Sequence, residues 1–174
     1  MMDRRVTQKI ESNAGTKMRT KMKMMLVKQG VAFSGEVVLK NIQQNDVLRL
    51  GKLFYEAYYD TIDYEGETPE QAVQEINDTI NGKYGPFIND CSFVAEVRGR
   101  PVSFSLVTMW QGRPLLAYTA THPQYLNQGL STNLIKNSIN ALLMRGHEDL
   151  YLFVTVGNEP ARHVYEKLGF IPIT

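Results

Sequence analysis

The 174-residue chain predicts an α/β domain, with a mixed, mostly antiparallel sheet and helices on both of its faces. Three observations carry that expectation. From residue 36 onward, helical and strand periodicities alternate. Three strand-like runs between residues 91 and 121 are joined by Gly-containing links of hairpin length, which marks an antiparallel meander. The run LYLFVTV at 150–156 is almost continuously apolar, as in a strand covered on both faces. A chain of this size buries roughly 70% of its extended surface. It therefore needs no disulfide or metal to fold. Its single cysteine, Cys91, excludes an intramolecular disulfide, and no Cys/His cluster has zinc-ligand spacing.

The elements follow in order. Glu36–Ile42 reads as a strand from its β-branched content. Asn45 or Asp46 caps a helix whose Val47, Leu50, Phe54, Ala57 and Tyr58 recur at helical spacing. Thr68 opens a second helix, with Pro69 in its first turn and Gln71 completing a capping box. Ala72, Val73, Ile76 and Ile80 form its apolar stripe, and Gly82 ends it. The meander strands are Cys91–Val97, Val102–Trp110 and Leu115–Thr121. A helix runs from Gly129 to about Met144, a strand over Leu150–Val156, and a last helix from its cap Asn158 to Gly169. Phe170–Thr174 reads as a short final strand.

The net charge of +1 hides an asymmetry. Residues 1–30 hold eight Lys/Arg against Asp3 and Glu11, and the remainder is acidic. Residues 1–28 therefore read as a basic N-terminal segment whose first 20 residues form a mobile tail, and residues 29–174 as a single domain. Met22–Val27 is too short and too charged for a secretory leader. No apolar run approaches the roughly 20 residues of a membrane helix. A cytoplasmic protein without membrane contact is the expectation. The near balance of charge over the whole chain argues against a dedicated nucleic-acid binder.

Chemistry enters at 115–145. A strand runs into Thr121-His122-Pro123, a polar turn follows, and Gly129-Leu130-Ser131-Thr132 opens a helix. A helix N-terminus offers unpaired N–H groups and a partial positive charge, and a glycine at its mouth lets an anion approach. One strand later stands Asn158-x-x-Ala161-x-x-x-Tyr165-x-x-x-Gly169-Phe170. Together the two stretches resemble the GNAT superfamily of N-acetyltransferases, which use acetyl-CoA. The family's first motif, Arg/Gln-x-x-Gly-x-Gly/Ala, falls on Leu126–Ser131. Gly129 is kept, while Leu126 and Ser131 depart from the pattern. The second motif is matched throughout. The β/α order from residue 36 also agrees with the family's sheet.

The resemblance implies a set of roles. Tyr118, Thr119, Ala120 and Thr121 would bind the pantetheine arm through free backbone groups on a splayed strand. Asn127, Gln128, Gly129, Leu130, Ser131 and Thr132 would hold the pyrophosphate. Asn158 would hydrogen-bond the pantetheine or cap its own helix. Leu126 removes one phosphate contact, and a charge-assisted hydrogen bond is worth about 1.5–3 kcal/mol. Tyr165 would protonate the leaving thiolate as general acid. A general base is harder to place. Glu96 is the one carboxylate on the neighbouring strands, Tyr118 is another candidate, and His122 reads as a turn residue.

An acidic run spans Glu56, Asp60, Asp63, Glu65, Glu67, Glu70, Glu75 and Asp78, interleaved with Tyr55, Tyr58, Tyr59 and Tyr64. In the family this segment borders the acceptor pocket. Asp60, Asp63, Glu65 and Glu96 are thus the candidate acceptor-binding carboxylates, suited to a cationic amine. The expected activity is acetyl transfer from acetyl-CoA to a primary amine of a small molecule or peptide, by direct attack in a ternary complex. A catalytically silent acyl-CoA-binding module is the alternative. Few residues follow Gly169, whereas family members commonly continue through a longer last strand. Either that strand is short, or Met24–Phe33 or a second subunit fills the edge, so a homodimer is one way to cover it.

Overall fold

The structure is a computed structural model and describes residues 17–174. Seven strands form one sheet: β1 (Arg19–Met25), β2 (Val37–Asn41), β3 (Phe93–Val97), β4 (Arg100–Trp110), β5 (Arg113–Thr121), β6 (Asp149–Thr155) and β7 (Ile171–Pro172). Their spatial order is β2-β3-β4-β5-β6-β1-β7. All neighbours are antiparallel except β5 and β6. Among the described residues the helices are α1 (Val47–Tyr58), α2 (Pro69–Ile80), α3 (Leu130–Met144) and α4 (Glu159–Leu168).

The meander closes as its links require. Arg98-Gly99 and Gln111-Gly112 all have φ between +50° and +75°. Two residues with positive φ make the primed turn whose twist matches a hairpin. α2 opens with the expected capping box: the Thr68 hydroxyl accepts the Gln71 N–H, and the Gln71 side chain accepts the Thr68 N–H. On one face of the sheet, Leu50, Leu53 and Phe54 of α1 and Ala72 and Ile76 of α2 pack on Val94, Phe104 and Leu106. On the other face, Ile135, Ile139 and Leu142 of α3 and Leu168 of α4 pack on Val107, Leu116, Leu150 and Leu152. α1 and α2 nearly touch at Gly51, where a Cβ would lie 2.4 Å from the Val73 Cα. That contact fixes where the loop between them hangs over the sheet.

The basic N-terminal segment is corrected by the fold. Residues 1–16 lie outside the described residues, so the tail reading concerns them alone. Residues 19–25 are an internal strand, and the folded domain begins well before residue 29. Met22, Met24 and Leu26 are buried in the core shared with α3, while Arg19, Lys21 and Lys23 alternate with them on the opposite face. Net charge summed over the segment conceals this two-residue period. β1 lies antiparallel to β6 through the seven positions from Arg19↔Thr155 to Met25↔Asp149. It also accounts for the sheet position beside β6. β7 is two residues long and pairs with β1, so β1 fills the place beside β6. The filling strand is Arg19–Met25, whereas Met24–Phe33 mostly forms the connection onward to β2. There the Asn140 side chain bonds both the N–H and C=O of Gln29, and Asn133 accepts the Ala32 N–H, tying the connection to α3.

Candidate active site

β5 and β6 run parallel but register at one pair, Leu115↔Tyr151, and then part. A bulge in β5 accompanies the parting. Leu106 faces Tyr118 and Val107 faces Leu116, which leaves Ala117 as the extra residue. A bulge bends and twists its strand. The separation opens a cavity of about 1090 Å³. One wall is Tyr118–Thr121 of β5, the other is Phe153–Thr155 of β6 with Asn158 and Tyr165, and the α1–α2 loop forms the roof. The His122 N–H bonds the Val102 carbonyl across to β4. By the alternation of an antiparallel pair, the backbone groups of Thr119 and Thr121 therefore face the gap.

Two phenols converge on Thr119. The Tyr58 hydroxyl donates to the Thr119 carbonyl at 2.8 Å. Tyr165 of α4 lines the same cavity and lies near enough to the Thr119 side chain to feel it electrostatically. Burial pushes the Tyr165 phenol above its ordinary value; the hydrogen bond from Thr119 pulls the other way and the charge of Asp63 pushes it up again. Tyr58 is raised well above its ordinary value by burial, then by Tyr165 and Asp63. Both phenols keep their protons at neutral pH.

Of the candidate acceptor carboxylates, Asp63 and Glu65 border the cavity. Asp63 accepts hydrogen bonds from the Thr155 hydroxyl at 2.5 Å and from the Asn158 amide at 2.9 Å. It clamps the α1–α2 loop to the end of β6. Asn158 is fully engaged, because its Oδ1 also accepts the Ala161 N–H and caps α4. Asp60 and Glu96 do not join them. Asp60 occupies an exposed turn with φ of +59° and lies outside the cavity lining. Glu96 is 3% exposed and ion-paired with Lys40 and Arg49. Burial opposes its ionisation, yet hydrogen bonds from Lys40 and Arg49 prevail and hold its carboxyl below the usual range. Inward-facing charge on a strand needs such partners, so Glu96 serves the fold rather than the cavity.

The carboxylate that does line the cavity from α2 is Glu75. It accepts the Tyr84 hydroxyl at 2.6 Å, the Tyr118 hydroxyl at 2.7 Å and the Lys83 ammonium at 2.5 Å. Burial works against its charge, but these three donors outweigh burial and lower its pKa. Tyr118 is raised far above its ordinary value, by burial first, and so is no base. His122 stays in the turn: its Nδ1 accepts the Gln124 N–H, and its Nε2 lies 3.3 Å from Glu56. The Cys91 thiol is fully buried and pushed up to about 11 by burial, which suits a packing residue rather than a nucleophile.

The expected phosphate loop has the required local form. Asn127 and Gly129 take φ of +60° and +74°, and α3 starts at Leu130 with no side chain capping Gly129. Its first N–H groups have no intrahelical partner. The Leu130 side chain is buried, so that residue offers its backbone alone. Ser131 bonds the Thr121 hydroxyl at 2.6 Å, and Thr121 bonds Ser103 at 2.8 Å, a chain that fastens the end of β5 to the first turn of α3. Gln128 and Leu126 are exposed. Beyond the loop lies a second cavity of about 660 Å³ that Thr132, Lys136, His163 and Lys167 help to line. Tyr58, Glu75 and Arg19 all line the first cavity: the first two belong to the acidic and aromatic run but were not singled out from the sequence, and Arg19 was assigned to the basic segment. The alternation of Arg19, Lys21 and Lys23 with Met22 and Met24 is the signal that would have found the last.

Residues 53–170 match the family described as acetyltransferase (GNAT) family. A 58-residue stretch is 36% identical to N-alpha-acetyltransferase 30 of Schizosaccharomyces pombe (strain 972 / ATCC 24843), covering 33% of this chain and 39% of that protein. The fold is similar to a GCN5-related N-acetyltransferase from Sphaerobacter thermophilus, with a TM-score of 0.71 and 13% identity over 90% of this chain and 49% of that one. It is also similar to the PaiA N-acetyltransferase of Thermoplasma acidophilum, solved in complex with coenzyme A, with a TM-score of 0.64 and 16% identity over 78% of this chain and 89% of that one. The chain thus spans about half or less of the length of the first two. No helix among the described residues is long and apolar enough to cross a membrane. With the splayed strands, the uncapped α3 and the matched stretch all falling on the same residues, the chain belongs to the GNAT family of acetyltransferases, whose cosubstrate is acetyl-CoA.

Proposed function

We propose that the protein transfers the acetyl group of acetyl-CoA to a primary amine that enters the cavity beneath the α1–α2 loop. The observation that carries this reading is the cavity between β5 and β6, which Tyr165 lines from α4 with Thr119 on the opposite wall. The residues present fit the cosubstrate. Backbone groups of Thr119 and Thr121 are turned to the gap to take the pantetheine arm. The uncapped N-terminus of α3, with Asn127–Thr132, offers N–H donors to the pyrophosphate. Lys136 and Lys167 border the adjoining cavity and bring cationic groups where Leu126 brings none. Acetyl-CoA supplies the acetyl group as an activated thioester.

The chain's own groups then have separable tasks. Tyr165 donates its proton to the departing sulfur. A backbone N–H of β5 polarises the acetyl carbonyl. Asp63 holds the acceptor's ammonium at the roof and receives its proton, directly or through water. The Thr155 and Asn158 donors keep that carboxylate fixed. The likeness to an N-alpha-acetyltransferase supports a peptide amine over a small-molecule amine.

The test is titration calorimetry with acetyl-CoA, with CoA and ATP as controls, followed by acetyl transfer to a panel of amines and peptides. Binding of acetyl-CoA and CoA but not ATP, with transfer to some acceptor, is the expected result. Tight cofactor binding with no transfer to any amine would favour a silent acyl-CoA-binding module. No binding at millimolar cofactor would remove both.

A further inference from the structure

β1 lays a row of cations beside the cavity. In its antiparallel register Arg19 faces Thr155, Lys21 faces Phe153 and Lys23 faces Tyr151. Opposed residues share a face of the sheet, and this is the face turned away from Met22 and Met24. α1 and α2 pack over β4 and β5 on that side.

Lys21 sits at the centre. Its Nζ lies 4.9 Å from the Trp110 ring centroid, 5.6 Å from that of Tyr151 and 6.0 Å from that of Phe153. Ring faces hold an ammonium without neutralising it. No carboxylate among the described residues lies within ion-pair distance of it. Lys23 and Arg113 beside it are also undercompensated. Lys23 at 3.5 Å and Arg113 at 3.7 Å share the one carboxylate of Asp149. The Arg113 side chain is 57% exposed. Phe153 and Arg19 line the cavity as well, so the basic face and the cavity are continuous. Across the mouth stands the opposite charge, Asp63, Glu65 and Glu67 on the α1–α2 loop.

We propose that this face docks the acidic stretch of a peptide acceptor whose free amine enters the cavity. The inference rests on the acetyl-transfer reading for the amine, and names the substrate class. The acidic roof draws the ammonium. Carboxylate side chains a few residues further along then meet Lys21 and Arg113. A divided surface of this kind fits a ligand that changes sign along its length. A nucleic acid carries a phosphate at every step and would be repelled by the acidic roof beside the row.

The experiment is fluorescence anisotropy on the full chain. The probes are a labelled peptide with a free N-terminal amine and acidic residues after it, the same peptide with Asn and Gln in their place, and a single-stranded RNA. The acidic peptide should bind roughly tenfold tighter than the neutral one, as for two or three screened ion pairs. Raising salt from about 50 to about 300 mM should shrink that gap. Lys21→Glu should abolish the preference and Lys21→Gln should reduce it, with acetyl-CoA affinity unchanged as the test of folding. Equal binding of the two peptides, or a preference untouched by both Lys21 variants, would overturn the proposal. So would RNA binding tighter than the acidic peptide with the same dependence on Lys21. The acetyl-transfer reading fails separately, when no amine in the panel is acetylated whatever the anisotropy gives.

Discussion

β6 treats its two neighbours in opposite ways. Against β1 it pairs antiparallel through seven positions. Against β5 it registers at Leu115↔Tyr151 and then turns away. A sheet split on one side needs its strand held on the other, because backbone groups facing the gap forgo partners that the fold would otherwise supply. The site and its support are thus different parts of one strand's surroundings. The gap side should govern chemistry, and the sealed side should govern stability.

Two substitutions separate them with the largest expected effects. Tyr165→Phe should lower kcat by roughly 10²- to 10⁴-fold, the range for loss of a positioned general acid. Acetyl-CoA affinity and the urea midpoint should stay near wild type. Met22 is fully buried beneath the sealed side. Met22→Ala should cost about 2–5 kcal/mol in urea unfolding, with kcat of the folded protein largely kept. If Met22→Ala altered turnover while sparing stability, the division would be wrong.

Gly51→Ala probes the roof. A Cβ 2.4 Å from the Val73 backbone must force α1 and α2 apart. The expected cost is about 1–3 kcal/mol for overpacking. Because the pair carries the α1–α2 loop, KM for the acceptor should rise more than KM for acetyl-CoA. Steady-state kinetics with each substrate varied would show whether the roof belongs to the acceptor side.

Asp63→Asn should slow turnover, because the carboxylate that holds and deprotonates the amine is lost, and should also shift the pH dependence of the activity that remains. The Tyr165 phenol is raised above its ordinary value, by burial first and in part by the charge of Asp63. A general acid works while protonated, so activity is lost as pH rises through its pKa. Removing the Asp63 charge should lower that pKa and move the alkaline limb of the kcat profile to lower pH. A limb that stays in place would separate Asp63 from Tyr165.

The smallest effect concerns Glu75. Its carboxyl is held below the usual value of 4.5, against burial, by Lys83, Tyr84 and Tyr118. Such a group contributes stability that is fully present above its unfolded pKa and is lost as pH falls through the lower folded one. Glu75→Gln should therefore flatten the acid side of the stability profile, seen as a smaller loss of Tm between about pH 5 and pH 3 than in wild type.

Much of the gap side was legible in the order of residues. Gly129, Asn158 and Tyr165 stand in short local patterns, and local patterns survive without knowledge of the fold. The capping box at Thr68 and the paired hairpin turns were legible for the same reason. β1 was not, because six basic residues between Lys9 and Lys28 outweighed the alternation of Met22, Met24 and Leu26. Glu96 misled for a related reason. A lone carboxylate on a strand looks available until Lys40 and Arg49 are brought to it from β2 and α1.

The helices, the meander and the loop that opens α3 can be read from the order of residues, since each depends on residues a few positions apart. Which strand seals β6, which acids reach the cavity and which phenols line it emerge only in the folded chain. Those depend on register between segments as distant as Asp63 and Asn158, or Lys21 and Phe153. Pairing across such separations is set by closure of the whole core, where buried area and satisfied backbone groups are weighed together.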